Sequence, residues 1–234
     1  MADKSVGREG PTAGRRSATA PDGRAAPAPG RRYLGMSPDE RRVQRRATIL
    51  TTALELFGTT GYAGSSVKQI CRTARLTERY FYESFSDRES CLSALYSDLV
   101  DGMRAATVSA LAAAGDDVDD QARAGLNAFI GYLTDDPRRA RVVLIEVVGV
   151  SPALEERRHA VLRGFADIVT TSWAAARTEP LEPKHRSTAV ALVGGVNHLL
   201  VDWLMSGRPQ SPAELADVCS TLFIAARERL EAEH

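Results

Sequence analysis

The sequence predicts an all-α protein. From residue 37 onward apolar side chains recur at three- and four-residue spacing, no stretch alternates polar and apolar residues as a strand does, and Pro or Gly separates the apolar runs. About nine helices are expected. A chain of 234 residues can hold a small domain and a larger one with its own core.

Residues 1–36 are rich in Ala, Gly, Pro and Arg and almost free of large apolar side chains, so they cannot bury enough surface to fold, and a disordered tail is expected there. Arg31 and Arg32 would suit phosphate contacts, an inert extension is equally consistent, and Met36 offers an alternative start. Ser37 then supplies an N-cap acceptor, Pro38 suits the first helical position, and Gly61 can adopt the left-handed stop. Between them Ile49, Ala53 and Phe57, flanked by Leu50 and Leu54, form one inward stripe. Ser65 or Ser66 caps a second helix with Val67, Ile70, Cys71 and Ala74 inward. After a turn at Arg75 and Leu76, Thr77 opens a third helix reaching Phe85. Phe81 and Phe85 suit the core there, leaving Glu78, Arg79, Tyr80 and Tyr82 to point elsewhere.

A long helix follows from Asp87 to Ala114, with Leu92, Leu95, Leu99 and Met103 along one side. Gly115 and the acidic run Asp116 to Asp120 break it and open the next, which carries Leu126, Phe129, Ile130 and Leu133. Pro137 starts a helix over Arg138 to Val148, and Pro152 one that reaches Trp173. Pro180 and Pro183 bracket a loop. Lys184 to Met205 and Pro212 to Leu230 complete the set, separated by Gly207 and Pro209.

Formal charge is balanced overall, at 30 basic against 30 acidic residues, but not locally. Residues 1–95 hold 16 Lys and Arg against 10 Asp and Glu, a balance of +6, which leaves 14 against 20, or −6, for 96–234. The basic half is the one with the short helices, as attraction to phosphate requires. Lysine stands only at 4, 68 and 184, so arginine dominates, a composition that hints at a GC-rich bacterial genome. Cys71, Cys91 and Cys219 show no paired spacing, which speaks against a disulfide framework or zinc site and for a reducing cytoplasm. No apolar run is expected to reach the length needed to cross a bilayer, and no secretion signal is evident. The four histidines, 159, 185, 198 and 234, form no cluster, and no phosphate-cradling glycine loop or nucleophile elbow occurs. No cofactor or metal is expected, and an all-α enzyme is a remote alternative.

The stretch from Arg45 to Leu92 resembles the N-terminal domain of the TetR family of transcriptional regulators. The resemblance rests on Ile49-Leu50, Ala53, Leu56-Phe57, Gly61-Tyr62, Ser66-Val67, Ile70, Ala74, Leu76-Thr77, Phe81-Tyr82, Phe85 and Arg88-Glu89. Two positions depart from it: Arg75 stands where the family usually has Gly, and Cys71 where it usually has Ala. The resemblance implies a helix-turn-helix domain over 37–86 and a ligand-binding and dimerisation domain over 87–234. Ser66, Thr77, Tyr82 and Arg88 would then grip the DNA backbone, while Lys68, Glu78, Arg79 and Tyr80 would face bases. The chemistry agrees, since Arg and Lys donate to guanine, Glu accepts from cytosine and an aromatic ring covers a thymine methyl. Glu78 could equally orient a neighbouring Arg, and any of these charges could be an ordinary solvated face.

The family also pairs through its last two helices. Ala191, Gly194 and Gly195 are small enough for close approach, and Leu199, Leu200, Trp203, Leu204, Leu215, Val218, Leu222 and Ile224 would extend the surface; the alternative is packing within one subunit. A homodimer would present two recognition helices to a palindromic operator. Phe129, Tyr132, Phe165 and Trp173 are candidates for an apolar effector cavity or for ordinary core, with Glu146, Asn197, His198 and Asp202 as polar groups that could orient a ligand. His198 and Asp202, four apart, read equally as a hydrogen-bonded pair. The function expected is a dimeric repressor released from its operator by a hydrophobic small molecule; an activator or partner-responsive regulator of the same build is the alternative.

Overall fold

The computed structural model describes residues 37–232, so the tail expected over 1–36 lies outside the described residues. Among the described residues there are nine α-helices, one π-helical turn and no strand, and the fold is all-α as expected. The helices are α1 (Pro38–Thr59), α2 (Val67–Ala74), α3 (Glu78–Tyr82), α4 (Arg88–Ala113), α5 (Val118–Thr134), α6 (Pro137–Arg141), α7 (Pro152–Ala175), α8 (Pro183–Met205) and α9 (Pro212–Glu231). The π turn (Val142–Glu146) continues directly from α6.

Short-range chemistry sets most boundaries. Ser37 Oγ accepts from Glu40 N at 3.1 Å while the Glu40 carboxylate accepts from Ser37 N at 2.6 Å, a reciprocal cap that starts α1. Gly61, at φ +92°, turns the chain away beyond α1. Ser66, rather than Ser65, caps α2, its hydroxyl accepting from Gln69 N at 3.2 Å. Arg75 ends α2 in the left-handed conformation, φ 55° and ψ 38°, so a residue with a Cβ holds the turn that glycine would hold without strain.

Two elements differ from the sequence reading. Helix α3 spans five residues, shorter than the Thr77 to Phe85 expected, because the chain tightens after Tyr82: Ser84 N reaches back only three residues, to Phe81 O. The helix expected over 138–148 is instead α6 followed by the π turn. Val142, Val143 and Leu144 are all buried, an arrangement a surface helix with one apolar stripe does not allow. The turn is surrounded by α1, α4, α6 and α8, so every side of it meets protein.

The core is one connected apolar cluster. Ile49, Ala53, Phe57, Ile70, Phe81 and Phe85 close the first three helices over one another, and Leu92, Leu95 and Tyr96 of α4 continue the cluster toward α5 and α7. Helix α5 lies between α4 and α9, and α7 packs on α8. By length and composition alone α8 would suffice to cross a bilayer, which corrects the expectation that no apolar run reaches that length. Its Val193, Val196, Leu200 and Trp203 enter the core of the bundle, yet 28% of the apolar window is buried, leaving most of its surface open. Leu200, Trp203 and Leu215, three of the residues considered for a dimer surface, pack within the subunit.

Candidate nucleic-acid interface and buried cavity

Helices α2 and α3 meet through the turn at Arg75, and their outer residues form one continuous polar surface. Lys68, Thr77, Glu78 and Arg79 are exposed, and Tyr82 is 55% exposed. Ser66 and Thr77 sit at the N-caps of α2 and α3, where orphan backbone N–H groups and the helix dipole favour an anion. Ser66 uses its hydroxyl to cap α2 and also donates to Gln69 Oε1 at 2.8 Å, whereas the Thr77 hydroxyl makes no capping bond.

Charge on this surface is organised by a residue that the sequence reading did not single out. Glu83 accepts from Arg79 Nε at 3.2 Å and from Arg45 Nη2 at 3.4 Å, so one carboxylate positions two cations on neighbouring helices. The orienting role considered for Glu78 is taken by Glu83, one turn beyond Arg79. Arg45 also stacks on the Tyr80 ring, 4.3 Å from its centroid, which leaves Tyr80 half-buried. Arg45 was legible in principle, because it lies at the edge of a basic cluster, Arg41, Arg42, Arg45 and Arg46, on α1.

Arg88 stands apart from the other seven. Its Nη1 donates to Ser65 O, and its guanidinium lies 4.1 Å from the Tyr62 ring centroid. It therefore clamps the start of α4 to the α1–α2 loop. The same loop is tied from the other side. Glu146, in the π turn, accepts from Tyr62 N at 2.6 Å and from Arg141 Nε at 2.8 Å, while Arg141 Nη1 donates to Thr59 O at 3.0 Å. Arg138 adds an ion pair to Glu55 of α1 and another to Asp136. The bonds from Glu146 to Tyr62, from Arg141 to Thr59 and from Arg138 to Glu55 link positions more than 80 residues apart in sequence, so spacing could not reveal them.

A cavity of ≈ 80 Å³ lies between α4, α5, α7, α8 and α9. Phe129, Phe165 and Trp173 line it, as expected for an apolar pocket; the Phe129 and Phe165 rings meet edge to face with centroids 5.0 Å apart. The lining residues not anticipated include Thr107, Leu111, Gln121, Gly125 and Ser172. Gln121, Gly125 and Phe129 follow one another at four-residue spacing along α5, a signal present in the sequence. A Cβ at Gly125 would stand 2.9 Å from Leu111 Cδ2, so the Leu111 side chain would have to shift to admit one. Ser172 Oγ donates to Gln121 Oε1 at 2.7 Å, and Gln121 Nε2 donates to Gly115 O at 2.7 Å, so the polar groups of the wall satisfy one another.

The other five candidates do not line the cavity. Tyr132 packs against Gly102 of α4, where a Cβ would collide with the phenol, and Arg139 stacks over its ring at 4.6 Å. Glu146 belongs to the loop tie described above. Asn197 is half-buried, and His198 and Asp202 are exposed on α8 with no bond between them. Among the described residues no three His, Cys, Asp or Glu side chains converge as a metal site would require. Burial pushes the Cys91 thiol up to about 12 and that of Cys219 up to about 11, and raises that of Cys71, so all three remain protonated at neutral pH.

A helix-turn-helix with a cationic outer surface, set on a helical bundle, is the architecture on which the comparisons with known proteins converge. Residues 49–95 match the model of the bacterial regulatory proteins, tetR family. Over those residues the chain is similar to that family, and its all-helical fold is TetR-like. The fold is shared with the fatty acid degradation regulator FadR from Bacillus halodurans, at 18% identity, 81% coverage of this chain, 96% of that one and a TM-score of 0.64. The transcriptional regulator FadR from Bacillus subtilis, solved in complex with stearoyl-CoA, is 17% identical over 76% of this chain and 96% of its own, with a TM-score of 0.66. A TetR-like transcriptional regulator from Rhodococcus sp. RHA1 is 19% identical over 78% and 94%, with a TM-score of 0.61. No curated protein matches the sequence.

Proposed function

We propose that the chain is a homodimeric, ligand-responsive transcriptional repressor that acts in the cytoplasm, with 37–86 as the DNA-binding domain and 87–234 as the effector and dimerisation domain. The observation that carries this reading is the pairing of an exposed, cationic α2–α3 surface with a separate apolar cavity in the same chain. A regulator, rather than an enzyme, is the reading those two features support.

In this reading Ser66, Thr77, Tyr82 and Arg88 hold phosphates, and Lys68, Glu78, Arg79 and Tyr80 face base edges. Arg88 acts largely by fixing the loop beside Ser66, given its bonds to Ser65 and Tyr62. Dimerisation through α8 and α9 is supported by their open apolar surface: Val190 is 46% exposed, Val218 51% and Leu222 56%. At Gly194 and Gly195 nothing lies within 4 Å of an added Cβ, so a second backbone has room to approach. A two-fold axis there would set two copies of α3 about one helical turn of DNA apart.

Two structural routes would join the cavity to the DNA surface. Helix α4 runs from the Arg88 clamp to Thr107 and Leu111 at the cavity wall. The α6–π segment ties α1 and the Tyr62 loop through Arg138, Arg141 and Glu146. An effector that favours a different α4 position would lower operator affinity, and operator would reciprocally lower effector affinity.

The test is capture of genomic fragments by the purified full-length chain at moderate salt. Enrichment of a palindrome, bound as a dimer with affinity falling steeply as salt rises, is the expected result. Recovery of no preferred sequence would refute the reading. A Gly pair at Leu99 and Val100 should reduce the reciprocal effect of operator on effector affinity more than it reduces effector affinity for the free protein.

A further inference from the structure

We infer that the effector is a neutral, compact hydrocarbon-like molecule, one or two rings in size, and not a fatty acid or a coenzyme A thioester. The inference rests on the regulatory reading above for the word effector, and on the cavity alone for the chemistry.

The first argument is charge. No Asp, Glu, Lys, Arg or His side chain lines the cavity. Of its four hydrogen-bonding side chains, Thr107, Gln121 and Ser172 are already paired: Thr107 Oγ1 donates to Met103 O at 2.8 Å, and Ser172 donates to Gln121, which donates to Gly115 O; the fourth, Trp173, offers only a neutral indole N–H. A carboxylate, phosphate or ammonium brought into that wall would lose its hydration and gain no counter-charge, a strongly unfavourable transfer. A neutral apolar molecule loses nothing by the same move and is driven in by release from water.

The second argument is size and shape. At ≈ 80 Å³ the cavity is smaller than the roughly 150 Å³ of an engineered apolar cavity that takes up benzene, so entry must push the wall outward. A compact ring demands the least displacement, whereas most of an extended acyl chain would stay outside, toward the open side of the cavity. The wall also offers the right faces. Phe129 and Phe165 already stand edge to face, and Trp173 lies beside them, so an aromatic guest would add one more ring to an existing cluster.

Arg104 lies on α4 one turn before Thr107, outside the lining, with its guanidinium 5.3 Å from the Phe165 ring centroid. It is occupied by that ring face, but it is the group an acidic head would have to recruit.

The experiment uses the full-length chain and four probes: toluene, naphthalene, decanoate and decanoyl-CoA. Binding is followed by calorimetry and by the fluorescence of Trp173, one of two tryptophans in the chain. Naphthalene or toluene is expected to bind at least about tenfold more tightly than either acyl probe, given the uncompensated anion. Val196→Phe, which fills the cavity from α8, should abolish that binding. Arg163→Gln, exposed on α7 and outside the lining, should leave it within about twofold as a control for folding. Tighter binding of decanoate or decanoyl-CoA, lost in Arg104→Ala, would overturn the inference. So would the absence of any hydrocarbon binding in a chain that holds its operator. Hydrocarbon binding in a chain that recovers no operator would instead refute the regulatory reading and leave the chemical class standing.

Discussion

The helix-turn-helix and the cavity are both built from aromatic side chains, and they use them in opposite ways. Phe57, Phe81 and Phe85 are between 0% and 4% exposed and fill the space between α1, α2 and α3 completely. Phe129, Phe165 and Trp173 border the ≈ 80 Å³ cavity. Dense packing gives the first region one geometry, as a surface that must match a groove requires. Incomplete packing leaves the second with freedom to rearrange, and that freedom is what a ligand can bias.

The sharpest way to break this comparison is to truncate one ring in each region. Phe57→Ala should destabilise the protein by about 3 to 5 kcal/mol, because the closed core cannot collapse onto the void. Phe129→Ala, half-buried and already facing a cavity, should cost less than about 2 kcal/mol. Urea melts of the two variants decide it, and equal losses would mean that the cavity region is packed as rigidly as the core of α1–α3.

Next in size is the tie between the regions. Glu146→Gln replaces the charged acceptor of Tyr62 N and removes the charge paired with Arg141, which keeps its bond to Thr59 O, at a cost of roughly 1.5 to 3 kcal/mol. Operator affinity is expected to fall with it while ligand affinity of the free protein stays within a factor of about three, since Glu146 does not line the cavity. A fall in ligand affinity matching the loss for operator would place the π turn in the effector site itself.

Arg79 tests the surface of the rigid region. Arg79→Ala should relax base preference at one operator position by about 1 to 3 kcal/mol, while Tyr82→Phe should weaken all operator variants evenly. Binding measured across a panel of single-base operator changes separates the two; an even loss for Arg79→Ala would make it a phosphate contact.

The smallest effect concerns the turn. Arg75 occupies a left-handed conformation that costs a residue with a Cβ about 1 to 2 kcal/mol, and glycine returns part of that through the freedom it has when unfolded. Arg75→Gly should therefore stabilise the chain by less than about 1 kcal/mol. A destabilised variant in thermal melts would show that the Arg75 side chain supplies contacts that outweigh the backbone strain.

Much of this molecule was legible in the sequence because its helix boundaries are local. Ser37, Ser66 and Asp87 cap helices through bonds reaching three residues ahead, and the apolar stripe of Ile49, Ala53 and Phe57 needs only the helical repeat. The aromatic part of the cavity was legible for the same reason, since Phe129, Phe165 and Trp173 fall on inward faces. Its polar part was not. Gln121 and Ser172 bond across 51 positions, and although Gln121 shares a helix face with Phe129, no local pattern pairs it with Ser172.

By itself the sequence determined the all-α class, the order of the helices, their caps and the cationic surface of α2 and α3, because each depends on neighbours within a turn or two. Only the tertiary structure decided the rest. It assigned Glu146 to the Tyr62 loop rather than to the cavity, gave Glu83 the task of positioning Arg79 and Arg45, turned residues 142–146 into a π turn and left His198 and Asp202 outside the pocket. Those outcomes depend on which helix lies beside which, and a hydrogen bond of 2.6 Å between residues 84 positions apart is set by packing, not by any local pattern.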